Sequence, residues 1–273
     1  MKKIISVALV LLTLSSCSSR EAQERDAEKR LKHIEQLIAG NALNAAKIEI
    51  DSIHSLYPRL VDKRKIAVAL EDTIIRRESS RTLAYCDSIL PLKLHQADSI
   101  QRNFRFEKND KYQQFGNYVY KTQQTESNSN RNYLKAYVDE NADFYLISNY
   151  FGGKIEHTSI ELSANDLYVH TDTLSTSNSA YHSFNDGGLH WESLVFKNED
   201  DKGVAAFIAQ NSTLRLKVTL YGKKSFVYYL ADADKKAITE TYQLWIVKKD
   251  VLQLKKEIKK ATLKIERINH RNH

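Results

Sequence analysis

The C-terminal segment, residues 232–273, carries an uninterrupted heptad pattern that restricts the fold more than any other feature of the sequence. Eight apolar residues follow one another at alternating spacings of three and four: Leu244, Val247, Val251, Leu254, Ile258, Ala261, Ile265 and Ile268. Such a seam predicts one long helix, which Asp232 or Asp234 can cap at its start. A helix of about thirty-five residues extends about 52 Å, longer than one sheet is wide, so its far end needs a second partner.

Residues 17–108 are also predicted to be helical, because their apolar residues keep helical spacing without two-residue alternation. The first helix repeats the pattern of the C-terminal seam, at Ala27, Leu31, Ile34 and Ile38. Because the two patterns match, we expect the C-terminal helix to fold back onto the N-terminal helices of the same chain. Association of two chains through the same heptads is the alternative.

Two proline residues mark expected helix boundaries within this segment. A second helix should run from about residue 42 to residue 56 and end before Pro58, and a third should begin near Arg59 or Val61. Pro91 has no backbone N–H, so it is expected to kink or break the third helix and leave a short fourth one.

The second of these helices shows a resemblance to a known repeat. Ala46, Ile50 and Pro58 are similar to the second-helix alanine, aromatic residue and closing proline of a tetratricopeptide repeat. Ile34 stands where that repeat has a small residue, and no second copy follows at the expected period. A generic helical hairpin is therefore the favoured interpretation.

Residues 109–231 are predicted to form an antiparallel β domain. Thirteen of the fifteen tyrosines lie between Tyr112 and Tyr242, many of them in two-residue alternation. We expect nine strands, near residues 117–122, 133–138, 144–150, 158–162, 167–171, 190–196, 204–209, 214–220 and 225–230. Short polar turns favour antiparallel neighbours that close into a sandwich or an open barrel. Together with the helices, this predicts the α+β fold class.

The first seventeen residues have the layout of a secretory signal. Lys2 and Lys3 precede an apolar run of eleven residues, which is too short for a spanning helix of about twenty residues. The sequence Leu14-Ser15-Ser16-Cys17 follows and resembles the lipobox of bacterial lipoproteins. This resemblance implies cleavage after residue 16, diacylglycerol on the Cys17 thiol and an acylated new N-terminus. An ordinary signal peptide followed by a chance cysteine is the alternative.

The chain as a whole resembles the envelope lipoproteins of Bacteroidota. This resemblance implies a membrane partner through the lipid anchor and a location in the cell envelope. Ser18 stands where an aspartate retains enteric lipoproteins in the inner membrane, so the outer membrane is favoured. With Cys17 acylated, Cys86 would be the one remaining thiol, so no intramolecular disulfide is expected. The apolar helical context of Cys86 predicts a buried, inert side chain.

One turn and strand carry the strongest candidate for a ligand site. Asp186, His190, Trp191 and Glu192 combine acids, a base and an aromatic ring around a glycine pair. They are a candidate groove for an envelope protein or a glycan. A strand that simply buries the aromatic ring and exposes the acid explains the same residues.

The leading hypothesis for function is a non-enzymatic binding or scaffold module, because the sequence contains no nucleophile elbow, phosphate loop or zinc-helix motif. The alternative is an envelope hydrolase of glycan or peptide, with its site near Asp186, His190 and Glu192. Four histidines of the β domain match no spacing of metal ligands: His157, His170, His182 and His190. Neither a metal nor another cofactor is expected.

The net charge of +7 is concentrated at the C-terminus. Between Lys248 and Arg271, nine basic residues accompany three acidic ones, which gives this segment a local charge of +6. The basic face of the predicted helix comprises Lys248, Lys249, Lys255, Lys256, Lys259, Lys260, Lys264 and Arg267. Export excludes nucleic acid as its partner, so anionic lipid head groups or an acidic protein remain, beside a face that is merely solvated.

Overall fold

The computed structural model describes residues 2–123 and 130–271, with side chains from residue 20 onward. The fold class is α+β, as predicted: helices come first, two antiparallel sheets follow, and a long helix ends the chain. The chain divides into two compact units. The first unit contains residues 1–87 and 256–273, and the second contains residues 88–255.

The first unit is built from helices. They are α1 (Lys2–Ala39), α2 (Leu43–Leu56), the first part of α3 (Val61–Gln101) and the last part of α5 (Asp232–Arg271). Helix α1 ends where Asn41 adopts a left-handed φ of 63°. The apolar positions predicted for α1 and α2 form the core, which contains Ala27, Leu31, Ile34, Ile38, Ala46, Ile50 and Ile53.

The second unit contains two antiparallel sheets. The strands are β1 (Phe104–Glu107), β2 (Asn117–Tyr120), β3 (Tyr133–Asp139), β4 (Phe144–Gly152), β5 (Ser159–Ala164), β6 (Leu167–His170), β7 (Tyr181–Asp186), β8 (Leu189–Lys197), β9 (Lys217–Tyr221) and β10 (Phe226–Tyr229). The larger sheet has the order β1-β2-β3-β4-β8-β7, and the smaller one has the order β10-β9-β5-β6. Both sheets contribute to one apolar core, which Ile238 and Trp245 of α5 complete.

Helix α5 buries the heptad seam predicted from the sequence. Six of its eight apolar residues are buried and the other two are half-buried. In the second unit, the Nζ of Lys93 on α3 lies 2.7 Å from the carboxylate of Asp250 on α5. In the first unit, the guanidinium of Arg271 lies 3.0 Å from the carboxylate of Asp72 on α3. The C-terminal helix therefore contacts a helix of the N-terminal region, and these contacts identify that helix as α3.

The strand predicted near residues 204–209 was wrong, because this segment forms α4 (Val204–Gln210). The carboxylate of Asp201 accepts hydrogen bonds from the backbone N–H groups of Gly203, at 3.1 Å, and Ala205, at 2.8 Å. These bonds satisfy donors at the start of the helix. Val204, Ala205 and Ile208 then point into the core at helical spacing.

The helix break expected at Pro91 does not occur, since α3 runs from Val61 to Gln101 without interruption. The expected fourth helix is the last part of α3. Pro91 leaves the carbonyl of Asp87 without its helical donor. Both residues are exposed, so water can bond to that carbonyl. Strands β1 and β7 were not among those expected, and β1 lies within the segment predicted to be helical.

Candidate functional site

The four predicted groove residues lie on one hairpin of the larger sheet. Strand β7 turns through two glycines into β8, and both glycines have positive φ values, 55° and 81°. This turn geometry strongly favours glycine. Because neighbouring residues of a strand point to opposite faces, the hairpin places His190 and Glu192 on one face and Asp186 and Trp191 on the other.

The carboxylate of Glu192 is buried and accepts five hydrogen bonds. Its Oε1 accepts from the backbone N–H groups of Ile155 and Glu156, each at 2.8 Å. Its Oε2 accepts from the backbone N–H and the Nδ1 of His157, both at 2.9 Å. The Nε2 of His190 lies 2.9 Å from Oε1 and completes the set. Glu192, His157 and His190 form what we call the buried carboxylate cluster, which ties the loop before β5 to strand β8.

These hydrogen bonds determine the charge of Glu192. Burial alone would raise the pKa of Glu192, but the hydrogen bonds from His157, Glu156 and Ile155 outweigh burial and lower this pKa well below 4.5. Glu192 therefore keeps its negative charge at neutral pH. A carboxylate offers about four lone-pair positions, and the five donors occupy them. Glu192 has neither a proton to donate nor a lone pair for a substrate, so it serves as a structural anchor.

The two histidines of the buried carboxylate cluster have further neighbours. The Nδ1 of His190 lies 2.5 Å from the Oδ1 of Asn185 on β7. His157 is fully buried next to the rings of Tyr150 and Tyr181, whose centroids lie 6.3 Å and 6.4 Å from its own. Within the described part of the chain, the Nε2 of His157 has no hydrogen-bond partner. The cluster is thus enclosed by protein groups and joins β4, β7 and β8.

The opposite face of the same strands presents three aromatic rings, which we call the aromatic row. The strand register places Phe151 of β4 on one side of Trp191 and Phe184 of β7 on the other. The rings of Phe184 and Trp191 are stacked, with centroids 4.7 Å apart and planes 5° apart. The ring of Phe151 lies 5.2 Å from that of Trp191 at 43°. Phe184 is 59% exposed, so the aromatic row reaches solvent at the edge of the sheet.

The remaining predicted groove residue, Asp186, is exposed and shares the face of the aromatic row. His190 and Glu192 lie on the other face, so the three residues named for a hydrolase site are not brought together. Beside the aromatic row, the hydroxyl of Ser193 donates a hydrogen bond of 2.8 Å to the Oδ1 of Asn149. This pair gives the aromatic row a polar border.

The basic face predicted for the C-terminal helix is not uniform. The Nζ of Lys248 lies 3.9 Å from the ring centroid of Tyr118, and burial lowers the pKa of Lys248. The Nζ of Lys249 pairs with the carboxylate of Glu199 at 3.2 Å. The other six residues of the face are exposed, and one of them, Lys260, pairs with Glu257 at 3.2 Å: Lys255, Lys256, Lys259, Lys260, Lys264 and Arg267. The charge available to a partner therefore lies toward the end of α5.

The four histidines considered as metal ligands lie in different places. His157 and His190 belong to the buried carboxylate cluster, His170 ends β6 of the smaller sheet, and His182 lies on the solvent face of β7. Across residues 2–123 and 130–271, no group of three or more His, Cys, Asp or Glu residues is placed to hold a metal ion.

The two cysteines differ in what the structure reports about them. Cys86 is buried, as its apolar helical context predicts. Cys17, the expected site of lipid attachment, lies outside the residues whose side chains are described.

A cleft of about 520 Å³ opens elsewhere in the second unit, beside α4 and α5. Its apolar wall is formed by Phe144, Tyr242 and Trp245, whose rings pack against one another. Its charged residues already have protein partners, since Glu199 pairs with Lys249 and Asp201 caps α4. The charged groups of the cleft are therefore less available to a ligand than the rings of the aromatic row are.

Reasoning from the sequence found Trp191 but missed Phe151, Phe184 and the role of His157. The aromatic residues of β4 were visible in the sequence, whereas the pairing of β4, β7 and β8 that aligns the three rings was not. His157 lies thirty-five positions before Glu192 and meets it only through the fold.

Comparisons with protein-family models, with curated proteins and with solved structures return no match for this chain. Among the helices as far as their residues are described, none combines the length and apolar character that a membrane crossing requires.

Proposed function

We propose that this chain is a lipid-anchored protein of the bacterial envelope that binds a glycan or an envelope protein without catalysing a reaction. The aromatic row of Phe151, Trp191 and Phe184 is its binding surface. The lipobox-like sequence ending at Cys17 supports the anchor, and the signal layout before it supports export. Asp186 and the pair of Ser193 and Asn149 border the aromatic row and supply polar contacts.

The single observation that carries this proposal is the stack of Phe184 on Trp191 at the solvent face of the sheet. Aromatic rings gain much from contact with a ligand and lose little conformational entropy, because two torsion angles fix each ring. The strand backbone beneath is held by the buried carboxylate cluster. A rigid, exposed aromatic surface is therefore available without rearrangement of the protein.

A binding role fits these residues better than hydrolysis does. Glu192 is anionic, buried and fully hydrogen-bonded, so it cannot act as a general acid or reach a substrate. Asp186 lies on the opposite face of the sheet from His190 and Glu192, so the three side chains cannot act together on one substrate. No described contact favours the hydrolase alternative.

Alanine substitution in the aromatic row tests the binding surface. Full-length chains carrying Trp191→Ala or Trp191→Phe would be crosslinked in intact envelopes, and the glycan and protein partners recovered with each chain would be quantified. We expect Trp191→Ala to reduce recovery by about thirtyfold, as for a hot-spot residue worth about 2 kcal/mol, and Trp191→Phe to restore most of it.

Tyr168→Ala provides the matched control, because Tyr168 is an exposed aromatic residue of the smaller sheet. It should leave recovery unchanged. Circular dichroism would establish that the Trp191 variants are folded. If folded Trp191→Ala recovered the same partners in the same amounts as the wild type and Tyr168→Ala, the aromatic row would not be the binding surface.

A further inference from the structure

Strand β7 forms an open edge of the larger sheet. It stands last in the strand order, and within the described residues no strand pairs with its outer side. The residues from His182 to Asp186 are all exposed. Edge strands of this kind attract a further strand unless charges, prolines or bulges protect them, and β7 contains no proline or lysine and carries one acidic residue, Asp186, at its end.

The hydrogen-bond pattern fixes which backbone groups face outward. The N–H of Val195 donates to the carbonyl of Ala180, at 2.9 Å, so Ala180 lies in a hydrogen-bonded pair with β8. In an antiparallel ladder such pairs alternate, so the even-numbered residues of β7 bond to β8. The N–H and C=O groups of Ser183 and Asn185 therefore point away from β8, toward the open edge.

We propose that two copies of this chain associate by pairing β7 with β7 in antiparallel orientation, about a two-fold axis through Phe184. In this register Ser183 of one copy faces Asn185 of the other, so both outward backbone pairs exchange hydrogen bonds. His182 of one copy faces Asp186 of the other, because the two residues lie equally far from Phe184 on the same face. The sequence of β7 is thus complementary to itself.

The side chains favour this register. Within the described residues of one chain, the side chains of His182 and Asp186 have no hydrogen bond or ion pair, so each side chain is available to the other copy. Residues in the non-hydrogen-bonded positions of an antiparallel pair approach within about 4.5 Å between Cα atoms, which suits both the His182–Asp186 contact and two facing Phe184 rings. The second copy would extend the aromatic row from three rings to six across one continuous sheet. This interface differs from the heptad seam, whose residues α5 already buries.

A carboxylate introduced at position 182 tests the register. His182→Asp would place two carboxylates opposite each other at both ends of the interface, and we expect it to raise the dimer dissociation constant about tenfold or more. The double variant His182→Asp with Asp186→Lys places an aspartate opposite a lysine at both ends and should return the constant to within about threefold of the wild type. Sedimentation velocity of the full chain in detergent micelles measures all three proteins. Both positions are exposed, so the variants should keep the fold.

Cysteine crosslinking locates the two-fold axis. Phe184→Cys would bring two thiols together at a Cα separation of about 4.5 Å, within the range that a disulfide spans. His182→Cys is the matched control on the same strand and face, since its symmetry mate would lie about 13 Å away. Mild oxidation should give a covalent dimer with Phe184→Cys and not with His182→Cys.

Three results would overturn the proposal: a wild-type chain that sediments as a monomer, a His182→Asp chain that dimerises like the wild type, or equal crosslinking at both cysteine positions. A dimer that crosslinks through Phe106→Cys on β1, at the opposite edge of the sheet, in place of Phe184→Cys would overturn it as well. Ligand recovery by Trp191→Ala is measured separately, so the failure of this inference and the failure of the proposed function are distinguishable.

Discussion

Glu192 holds a negative charge away from water, and the stability that it contributes depends on pH. Because the pKa of Glu192 in the folded protein lies below 4.5, this contribution is complete above about pH 4.5 and is lost as pH falls through the folded pKa. Glu192→Gln points an NH₂ group at backbone donors. We expect a loss of about 3 kcal/mol in the free energy of unfolding at pH 7.

The difference in the free energy of unfolding between the wild type and Glu192→Gln should become smaller as pH falls below 4.5. Urea unfolding followed by tryptophan fluorescence measures it, and Trp191 and Trp245 both report on the second unit. Glu199→Gln serves as the control, since the Glu199 side chain is exposed and its pair with Lys249 should contribute less than about 1 kcal/mol. A difference that stayed constant between pH 7 and pH 3 would show that the charge of Glu192 is not what stabilises the fold.

The sequence predicted part of this site. Strand alternation predicted that Trp191 and Glu192 point to opposite faces, and the structure agrees. The alternative of a buried aromatic ring and an exposed acid was wrong, because Glu192 is buried and Trp191 shares the face of exposed Phe184. The sequence did not indicate this, since the donors that make burial of the acid possible come from residues 155–157. That loop depends on a left-handed Glu156, with φ of 51°, which no local pattern indicates.

At the scale of single elements, helix α3 lacks one backbone hydrogen bond that a single substitution could restore. Pro91 lies inside the helix and removes one backbone hydrogen bond. Pro91→Ala restores that donor, so we expect the neighbouring helix to gain about 2 kcal/mol against local opening, which is roughly thirtyfold in amide protection. Hydrogen exchange of the α3 amides measures the gain.

Leu92→Ala is the matched control for this prediction, because Leu92 is exposed and lies next to Pro91 in the same helix. It should leave the exchange rates nearly unchanged. Equal protection in the wild type and in Pro91→Ala would mean that the missing hydrogen bond costs α3 nothing.

Elements with strong periodicity were predicted well, and elements without it were not. The heptads of α5 and the alternating strands β3, β4 and β8 follow from their own residues. Strand β7 reads Tyr-His-Ser-Phe-Asn-Asp and is largely exposed, so it offers no apolar face to detect. Helix α4 consists of residues that also suit a strand, and the Asp201 cap decides between the two.

At the scale of the whole molecule, composition predicted the order of helices, sheets and final helix. It did not predict where the chain divides into its two compact units. Composition changes near residue 109 and again near residue 232, whereas the division between the units falls inside α3 and inside α5. Long helices can contribute to two cores in turn. A boundary of this kind needs no linker between the units, because the helix continues through it.

The proposed lipid anchor would decide where the whole molecule acts, and the Cys17 thiol is the group that would carry it. Each buried CH₂ of an acyl chain contributes about 0.8 kcal/mol, so several chains hold a protein on a membrane that one chain binds only marginally. Cys17→Ser should therefore lose the added lipid mass in mass spectrometry and move from the detergent phase to the aqueous phase after removal of the signal. Cys86→Ser should keep both properties, because Cys86 is buried. A Cys17→Ser chain that retained the lipid mass and its membrane partition would show that the attachment lies elsewhere.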